Sequence, residues 1–387
     1  MANENQEKQG KGGLDLQGLE EKWRAYWEKQ GIYSFDLKAQ GHAYAIDTPP
    51  PTVSGKMHLG HAFSYTQADV IARYKRMRGF NVFYPFGFDD NGLATERLVE
   101  KSRNVRAKDI GREEFIKVCL DETKKVEAKM RSDFAALGLA CDWKQVYRTI
   151  DDWARKTAQR SFLDIYEKKR AYQREAPTMW CPRCETAIAQ AELEDKEQEA
   201  DFYYIKFNVK GSGGKEFVEI ATTRPELMPA CVAIHVNSGD TRYKKLIGKE
   251  VEMPFVGRSV KVGHDKKVAM DFGTGAVYLC TFGDLEDVER VMEYNLPVIE
   301  IMGRDGVLNE KAGKFKGLKI SEARGKIVEE LEKAGHIVKV EKIRNVMNVH
   351  ERCKTPVEIL TSRQWFVKIL DLKKDLLARG EEVKWHP

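Results

Sequence analysis

The sequence predicts an α/β protein in which the first half of a doubly wound nucleotide-binding domain is interrupted by a β-rich domain. The first observation is the order strand (42–47), proline-rich loop (48–55), helix (56–78) and strand (79–85), which is a βαβ unit. In doubly wound folds the loop of such a unit lies where ligands bind. The second observation lies between residues 200 and 277, where glycine clusters separate short apolar runs in the manner of β-structure.

The remaining segments follow in order along the chain. Residues 14–29 have apolar side chains at helical spacing and follow a polar, glycine-bearing start. Residues 108–170 have helical character, and a helix at 321–334 ends before Gly335. We therefore predict a disordered lead-in and N-terminal helix (1–45), the first half of a Rossmann-like nucleotide-binding domain with a helical region and a cysteine knuckle (46–199), an inserted domain (200–338) and a return to the nucleotide-binding domain (339–387).

Composition excludes some classes of protein. The 65 basic and 60 acidic residues give a net charge of only +5, which permits a nucleic-acid partner but does not indicate one. No apolar run approaches the ~20 residues of a membrane-spanning helix, so we expect no membrane association. The seven cysteines are scattered and odd in number, which argues against a secreted disulfide framework and for a cytoplasmic protein.

Two histidines mark the loop of the βαβ unit. His58 and His61 lie three residues apart at the start of the helix, beside its unpaired amides and the positive end of its dipole. This placement suits polyphosphate, and Gly60 leaves room for close approach of a nucleotide. A pair of metal ligands, or two ordinary helix residues, are the alternatives that the pattern leaves open.

The surrounding residues resemble a known family. The segment 49–62, PPPTVSGKMHLGHA, is similar to the first signature of class I aminoacyl-tRNA synthetases, and residues 73–97 resemble the following segment of archaeal-type valyl-tRNA synthetases. The resemblance implies that His58, Gly60 and His61 bind ATP, supplied with Mg²⁺, and that Asp89 holds the ammonium of valine. It also implies that Pro50 and Pro51 form one wall of the valine pocket. A solvated loop carboxylate is the alternative for Asp89, and it is our interpretation of Asp90.

The β-rich region resembles the proofreading insertion of the same family. Residues 220–226, IATTRPE, and 271–277, DFGTGAV, are similar to its two hallmarks. The resemblance implies a barrel-like editing domain whose site residues are Thr222, Thr223, Arg224, Asp284 and Asp287. Such a domain has a physical reason, because a hydrophobic valine pocket cannot strongly reject the nearly isosteric threonine.

Four positions of this region depart from the bacterial pattern. Many bacterial valyl enzymes have Lys-Val-Thr where this chain has Tyr278, Leu279 and Cys280, and they have a histidine where this chain has Gly283. These departures leave open which groups recognise the threonine hydroxyl. Without the family, the preferred interpretation of Thr222, Thr223 and Arg224 is the end of a strand with a capped turn.

A zinc knuckle is predicted from two separated pairs of residues. Cys181 and Cys184 precede the insertion, and His350 and Cys353 follow it. The resemblance implies that the four residues form one structural Zn²⁺ site, because four protein ligands leave no open position for catalysis. A reduced turn without metal is the alternative.

The second class I signature, Lys-Met-Ser-Lys-Ser, and an anticodon-binding helical domain have no counterpart in the sequence. We therefore expect a valine–tRNA ligase portion that needs a missing C-terminal half to charge tRNA(Val), and that edits threonyl-tRNA(Val) by hydrolysis. A truncated chain, a fragment or one product of a split gene would have this sequence. A free-standing editing deacylase and a non-catalytic paralogue that binds tRNA or a partner are the alternatives.

Overall fold

A computed structural model describes residues 16–386, and the chain divides after Arg170 into two compact units. The predicted disordered lead-in lies outside the described residues. Within them, no helix combines the length and the apolar character needed to cross a membrane. The division into four domains stays a prediction.

The first unit contains the predicted βαβ arrangement. Its elements are α1 (Leu16–Gln30), β1 (Ala43–Ala45), α2 (Leu59–Met77), β2 (Asn81–Phe83), β3 (Pro85–Phe88), α3 (Leu93–Arg103), α4 (Ala107–Ile110), α5 (Arg112–Ala136), β4 (Asp142–Arg148) and α6 (Asp152–Glu167). β1 and β2 pair in parallel across α2, as a βαβ unit requires. The prediction of strand, loop, helix and strand is therefore confirmed.

An aromatic core fixes β3 and β4 in the first unit. Phe86 of β3 lies 5.1 Å from the ring of Phe134 on α5 and 4.9 Å from that of Trp143 on β4. β4 pairs in parallel with β3, although we predicted helical character throughout 108–170. That prediction is wrong at residues 142–148, because pairing with a distant strand and packing of the partly buried Trp143 against the core outweigh local preference.

The second unit is mainly β-structure. Its elements are β5 (Ala171–Cys181), β6 (Thr186–Ala187), β7 (Leu193–Asn208), β8 (Phe217–Thr222), β9 (Ala233–Val236), β10 (Glu250–Glu252), β11 (Ser259–His264), β12 (Ala276–Leu279), α7 (Leu285–Glu293), α8 (Ile320–Lys333), β13 (Ile337–His350), β14 (Glu358–Val367) and α9 (Lys373–Glu381). Short 3₁₀ helices lie at Gln190–Glu192, Pro225–Ala230, Glu310–Phe315 and Leu370–Leu372. α8 and the left-handed Gly335 (φ 68°) confirm the predicted helix and its end.

The strands of the second unit form three sheets, in the orders β10-β11-β9-β12, β13-β7-β8 and β14-β5-β6. The first two share one hydrophobic core, to which Ile205, Ile220 and Ile234 belong. Within residues 16–386 they do not close into a barrel, so the barrel-like expectation is wrong. After β8 the chain turns into the 3₁₀ helix Pro225–Ala230, whose prolines lack the amide donors that a continuing strand needs.

A long antiparallel ladder joins the two ends of this β-rich region. β7 and β13 pair from Ile205 opposite Ile337 down to Leu193 opposite His350. β5 and β14 form a second ladder that ends with Trp180 opposite Glu358. The two ladders bring residues near 181 and 350, far apart in sequence, to one place.

Candidate functional site

The start of α2 holds both histidines of the first signature. His58 is the N-cap residue, and its Nδ1 accepts a hydrogen bond from the Gly60 amide at 3.1 Å. The His58 amide in turn donates to His61 Nδ1 at 3.4 Å, and the two ring centroids are 4.0 Å apart. The structure therefore brings His58, Gly60 and His61 together.

These hydrogen bonds decide which ring nitrogen carries the proton when each imidazole is neutral. Because each Nδ1 accepts a hydrogen bond, the proton of each neutral imidazole lies on Nε2, where it can be donated to a ligand. Burial, and then the charge of His58, lower the pKa of His61, so this ring is neutral at pH 7. A Cβ at residue 60 would lie 3.0 Å from His58 Cε1, so glycine allows the His58 ring to cover the helix start. Two N–H donors at a helix N-terminus suit a phosphate group.

The proline-rich loop is tied to the residue that follows β3. The Val53 amide donates to the Asp89 carbonyl at 2.8 Å, and the Asp89 amide donates to the Pro51 carbonyl at 2.9 Å. Tyr65 of α2 donates its hydroxyl proton to the Pro49 carbonyl at 2.5 Å. The loop thus places the prolines, of which Pro51 is buried and Pro50 partly buried, beside Asp89.

Two residues beside Asp89 were missed by the sequence analysis. The Thr149 hydroxyl donates to Asp89 Oδ1 at 3.3 Å. The ring of Tyr147 covers Gly87, where a Cβ would lie 2.3 Å from Tyr147 Cζ. Burial, followed by Asp47 and Asp89, raises the pKa of Tyr147. A glycine within a strand often marks close approach of another group, and Gly87 was the signal available in the sequence.

Asp90 is buried, so our interpretation of it as a solvated loop carboxylate is wrong. It is 6% exposed, and among the described residues neither of its carboxylate oxygens has a hydrogen-bond partner. Burial, and then the carboxylate of Glu127 on α5, raise the pKa of Asp90 to about 7, although Arg148 opposes this. A carboxylic acid at this position would donate its proton to Glu127, whose Oε1 also has no hydrogen-bond partner.

The four predicted zinc ligands meet at the base of the two ladders. Their ligand atoms all lie within 4.8 Å of one another. Cys181 Sγ lies 3.5 Å from Cys353 Sγ, and Cys184 Sγ lies 3.6 Å from His350 Nδ1. Ligand atoms about 2.3 Å from a tetrahedral Zn²⁺ are about 3.7 Å from one another, so the donor set and its spacing fit this ion.

The turn after β8 is held by a buried network of charges. Arg224 donates to Glu358 Oε2 at 2.6 Å, to Glu226 Oε1 at 3.1 Å and to the Gly283 carbonyl at 3.1 Å. Arg324 of α8 donates two further hydrogen bonds to Glu226. The Arg224 side chain therefore stabilises the turn, and sequence analysis did not identify Glu358 or Arg324 as its partners.

Asp284 and Asp287 have different surroundings. Asp284 is the N-cap of α7 and accepts from the Asp287 amide at 2.7 Å. The Asp287 carboxylate is 7% exposed and accepts from the Cys280 amide at 3.3 Å. Burial, and then Asp284, raise its pKa to about 7. A Cβ at Gly283 would lie 2.5 Å from Asp287 Oδ2, so the departure at residue 283 makes room for this carboxylate.

The chain is similar to a large group of curated proteins. It is 46% identical to a valine–tRNA ligase of Thermoplasma acidophilum over 97% of this chain and 47% of the relative. It is 47% identical to that of Pyrococcus furiosus over 96% of this chain and 42% of the relative, and 46% identical to that of Methanocaldococcus jannaschii over 95% and 42%. The chain spans about half the length of these relatives.

A solved structure and a family model complete the comparison. A LeuRS chain from a ternary complex of LeuRS, tRNA and LeuAMS of Agrobacterium radiobacter K84 is 18% identical, with a TM-score of 0.43, over 91% of this chain and 50% of that chain. The model of the family described as tRNA synthetases class I (I, L, M and V) matches residues 22–387. With a match over nearly its whole length, the chain belongs to the class I tRNA synthetases of the I, L, M and V group.

Proposed function

We propose that this chain is the amino-terminal part of a valine–tRNA ligase. Together with a C-terminal half, it joins the carboxylate of valine to the α-phosphate of ATP as valyl-adenylate, with release of pyrophosphate, and transfers valine to tRNA(Val), with release of AMP. The observation that carries this proposal is the 46% identity to a valine–tRNA ligase over 97% of the chain. The full reaction is assigned to the completed enzyme, since the chain spans about half of its relatives.

The first unit supplies groups for the activation step. Its Mg²⁺–ATP substrate would bind at the N-terminus of α2, where the Nε2–H groups of His58 and His61 donate to phosphate oxygens and stabilise charge as pyrophosphate leaves. Asp89 would accept hydrogen bonds from the valine ammonium. The Thr149 hydroxyl would hold the Asp89 carboxylate in place. Pro50 and Pro51, tied to Asp89 through the backbone, would limit the size of the side chain that fits.

The second unit supplies groups for hydrolytic editing of threonyl-tRNA(Val). Asp287 would hold the α-ammonium of the misattached threonine beside the turn at Thr222, Thr223 and Arg224. Its pKa near 7 reflects burial and the neighbouring Asp284, which outweigh Arg290, and a bound ammonium would favour the carboxylate form. Substrate binding at pH 6 would therefore release a proton from Asp287.

Zinc would be held by Cys181, Cys184, His350 and Cys353, where it joins the chain before and after the β-rich region. It would supply structural cross-linking, because the four protein ligands complete a tetrahedral site. The cytoplasmic location belongs to the same proposal, because an odd number of scattered cysteines does not suit a secreted disulfide framework.

Valine-dependent exchange of pyrophosphate into ATP tests the activation step. We expect exchange with valine above isoleucine, leucine and threonine when the chain is combined with a C-terminal half from a relative. His61→Ala should abolish it, whereas His264→Ala, at an exposed position of β11, should not. Equal exchange in the two variants would refute the assignment of His61. Release of threonine without any exchange would favour the free-standing deacylase, and neither activity would favour the non-catalytic paralogue.

A further inference from the structure

Tyr278 of β12 takes part in a ring of three hydrogen bonds at the turn that follows β8. Its hydroxyl donates to the Arg224 carbonyl at 2.5 Å. The Thr222 hydroxyl lies 3.1 Å from the Tyr278 hydroxyl, and the Arg224 amide donates to Thr222 Oγ1 at 2.9 Å. The ring therefore joins both polar groups of the Arg224 backbone to two buried hydroxyl groups.

The direction of each hydrogen bond follows from the groups present. A carbonyl can only accept, so the proton of the Tyr278 hydroxyl lies toward the Arg224 carbonyl. The Tyr278 oxygen then accepts from Thr222, whose own oxygen accepts from the Arg224 amide. Both hydroxyl protons are used within the ring. Neither Thr222 nor Tyr278 has a proton left to donate to a substrate.

Because the two hydroxyl groups are buried, the loss of any hydrogen bond of the ring is costly. Thr222 is 7% exposed and Tyr278 is 9% exposed. Burial raises the pKa of Tyr278 well above its ordinary value, so the phenol keeps its proton. An unpaired polar group at such a site is costly, because no water compensates for the lost partner.

The turn held by the ring is connected to Asp287 through Gly283. The Arg224 side chain donates to the Gly283 carbonyl at 3.1 Å. Gly283 lies against the Asp287 carboxylate, as the 2.5 Å approach of a Cβ there shows. A displacement of the Arg224 backbone would therefore be passed through Gly283 to Asp287.

Thr223 differs from its neighbour. It is partly exposed, and its hydroxyl has no hydrogen bond to any other residue of the part of the chain that the structure describes. Its proton is therefore available, whereas that of Thr222 is not.

We propose that Tyr278 is a positioning residue of the editing site, which holds the turn against the loop of Asp287, consumes the Thr222 proton and leaves Thr223 as the hydroxyl of the turn that can contact the substrate threonine. This inference rests on the proposed deacylation. It also explains the departure at residue 278, because only a side chain with both a donor and an acceptor at its tip can close this ring.

Tyr278→Phe tests the inference, with Tyr204→Phe as the matched control. Tyr204 lies in the same unit, is also 9% exposed, and donates one hydrogen bond to Glu341 at 2.8 Å. We expect Tyr278→Phe to lower kcat for release of threonine from threonyl-tRNA(Val) about tenfold, equivalent to about 1.4 kcal/mol, with KM unchanged. The control should stay within about twofold of the wild type, because it loses a comparable hydrogen bond away from the turn.

The Thr222→Val variant and the double variant Thr222→Val/Tyr278→Phe measure whether the ring acts as a unit. We expect the double variant to lose no more activity than either single variant, since each change opens the same ring. Thr223→Val should instead weaken discrimination between threonyl and valyl esters. Additive losses at 222 and 278, or normal kcat in Tyr278→Phe, would overturn the inference while the deacylation stands. Absence of threonine release by the wild-type chain, supplied with a C-terminal half, would overturn the deacylation itself.

Discussion

Replacing Arg224 with methionine tests how far the second unit depends on its buried charges. Glu226 is fully buried, at 0% exposure, and Glu358 is 6% exposed. About a quarter of the Arg224 side chain, 27%, is exposed. Burial opposes the charge of Arg224, but Glu358 and Glu226 together raise its pKa above the ordinary value. The methionine variant removes this cation and keeps most of the volume.

The expected loss follows from which carboxylate is left alone. Glu226 keeps Arg324, which donates to it at 2.8 and 2.9 Å. Glu358 loses the 2.6 Å hydrogen bond from Arg224 and stays buried. Breaking a buried ion pair costs about 3–5 kcal/mol of unfolding free energy. Because Arg324 still pairs with Glu226, we expect a loss of about 3 kcal/mol for Arg224→Met, the low end of that range. Adding Glu358→Gln removes the isolated charge, so we expect the double variant to lose only about 1 kcal/mol.

Urea unfolding followed by tryptophan fluorescence at pH 7 measures these differences. We expect a lower midpoint with an unchanged m-value for Arg224→Met. Arg379→Met is the control, since Arg379 is 78% exposed and its partner Glu382 is 63% exposed, so its loss should cost less than about 1 kcal/mol. A loss below about 1 kcal/mol for Arg224→Met, or a double variant no more stable than the single one, would refute the reasoning.

Three further predictions concern other parts of the chain. Cys184→Ser should abolish binding of one zinc per chain, measured by atomic emission, and lower the melting temperature of the second unit, whereas unchanged zinc content would exclude this residue as a ligand. Asp90→Asn should stabilise the first unit by about 1–3 kcal/mol at pH 8, because a folded-state pKa near 7, above the unfolded value, means that the ionised carboxylate destabilises the fold above that pH. The gain should disappear as the pH falls toward 4, and urea unfolding at both pH values decides the matter. Gly283→Ala should cost about 1–3 kcal/mol by displacing the Asp287 carboxylate, whereas Gly325→Ala in α8, where a Cβ meets nothing within 4 Å, should stabilise by up to about 1 kcal/mol; equal melting temperatures would contradict this.

Local patterns in the sequence were sufficient to predict the secondary structure of part of the first unit. The three prolines, the two histidines and the apolar runs around them lie within one continuous stretch, and β1, α2 and β2 form as predicted. β4 was missed, because the residues that make it a strand belong to β3 and are more than 50 positions away. Thr149 and Tyr147, which contact the surroundings of Asp89, were missed for the same reason.

The properties of buried charges depend on residues that are distant in sequence. Asp90 follows Asp89 directly, yet the fold buries Asp90 against Glu127 and leaves its neighbour partly exposed. Nothing in the local sequence distinguishes the two carboxylates. The pairing of Arg224 with Glu358, across 134 positions, is equally invisible to a search for local motifs.

Because Leu193 and His350 face each other, the long stretch of chain between them could be deleted without separating the strands on either side. Facing residues of an antiparallel pair have their Cα atoms about 5 Å apart, a gap that a tight hairpin turn can span. The whole stretch between them is therefore a removable cassette. Its deletion would leave the β5–β14 pairing and all four knuckle residues in the shortened chain, because two precede the cassette and two lie at or after its end. A module with such a joint can be gained, lost or exchanged as one piece, without redesign of the strands that carry it.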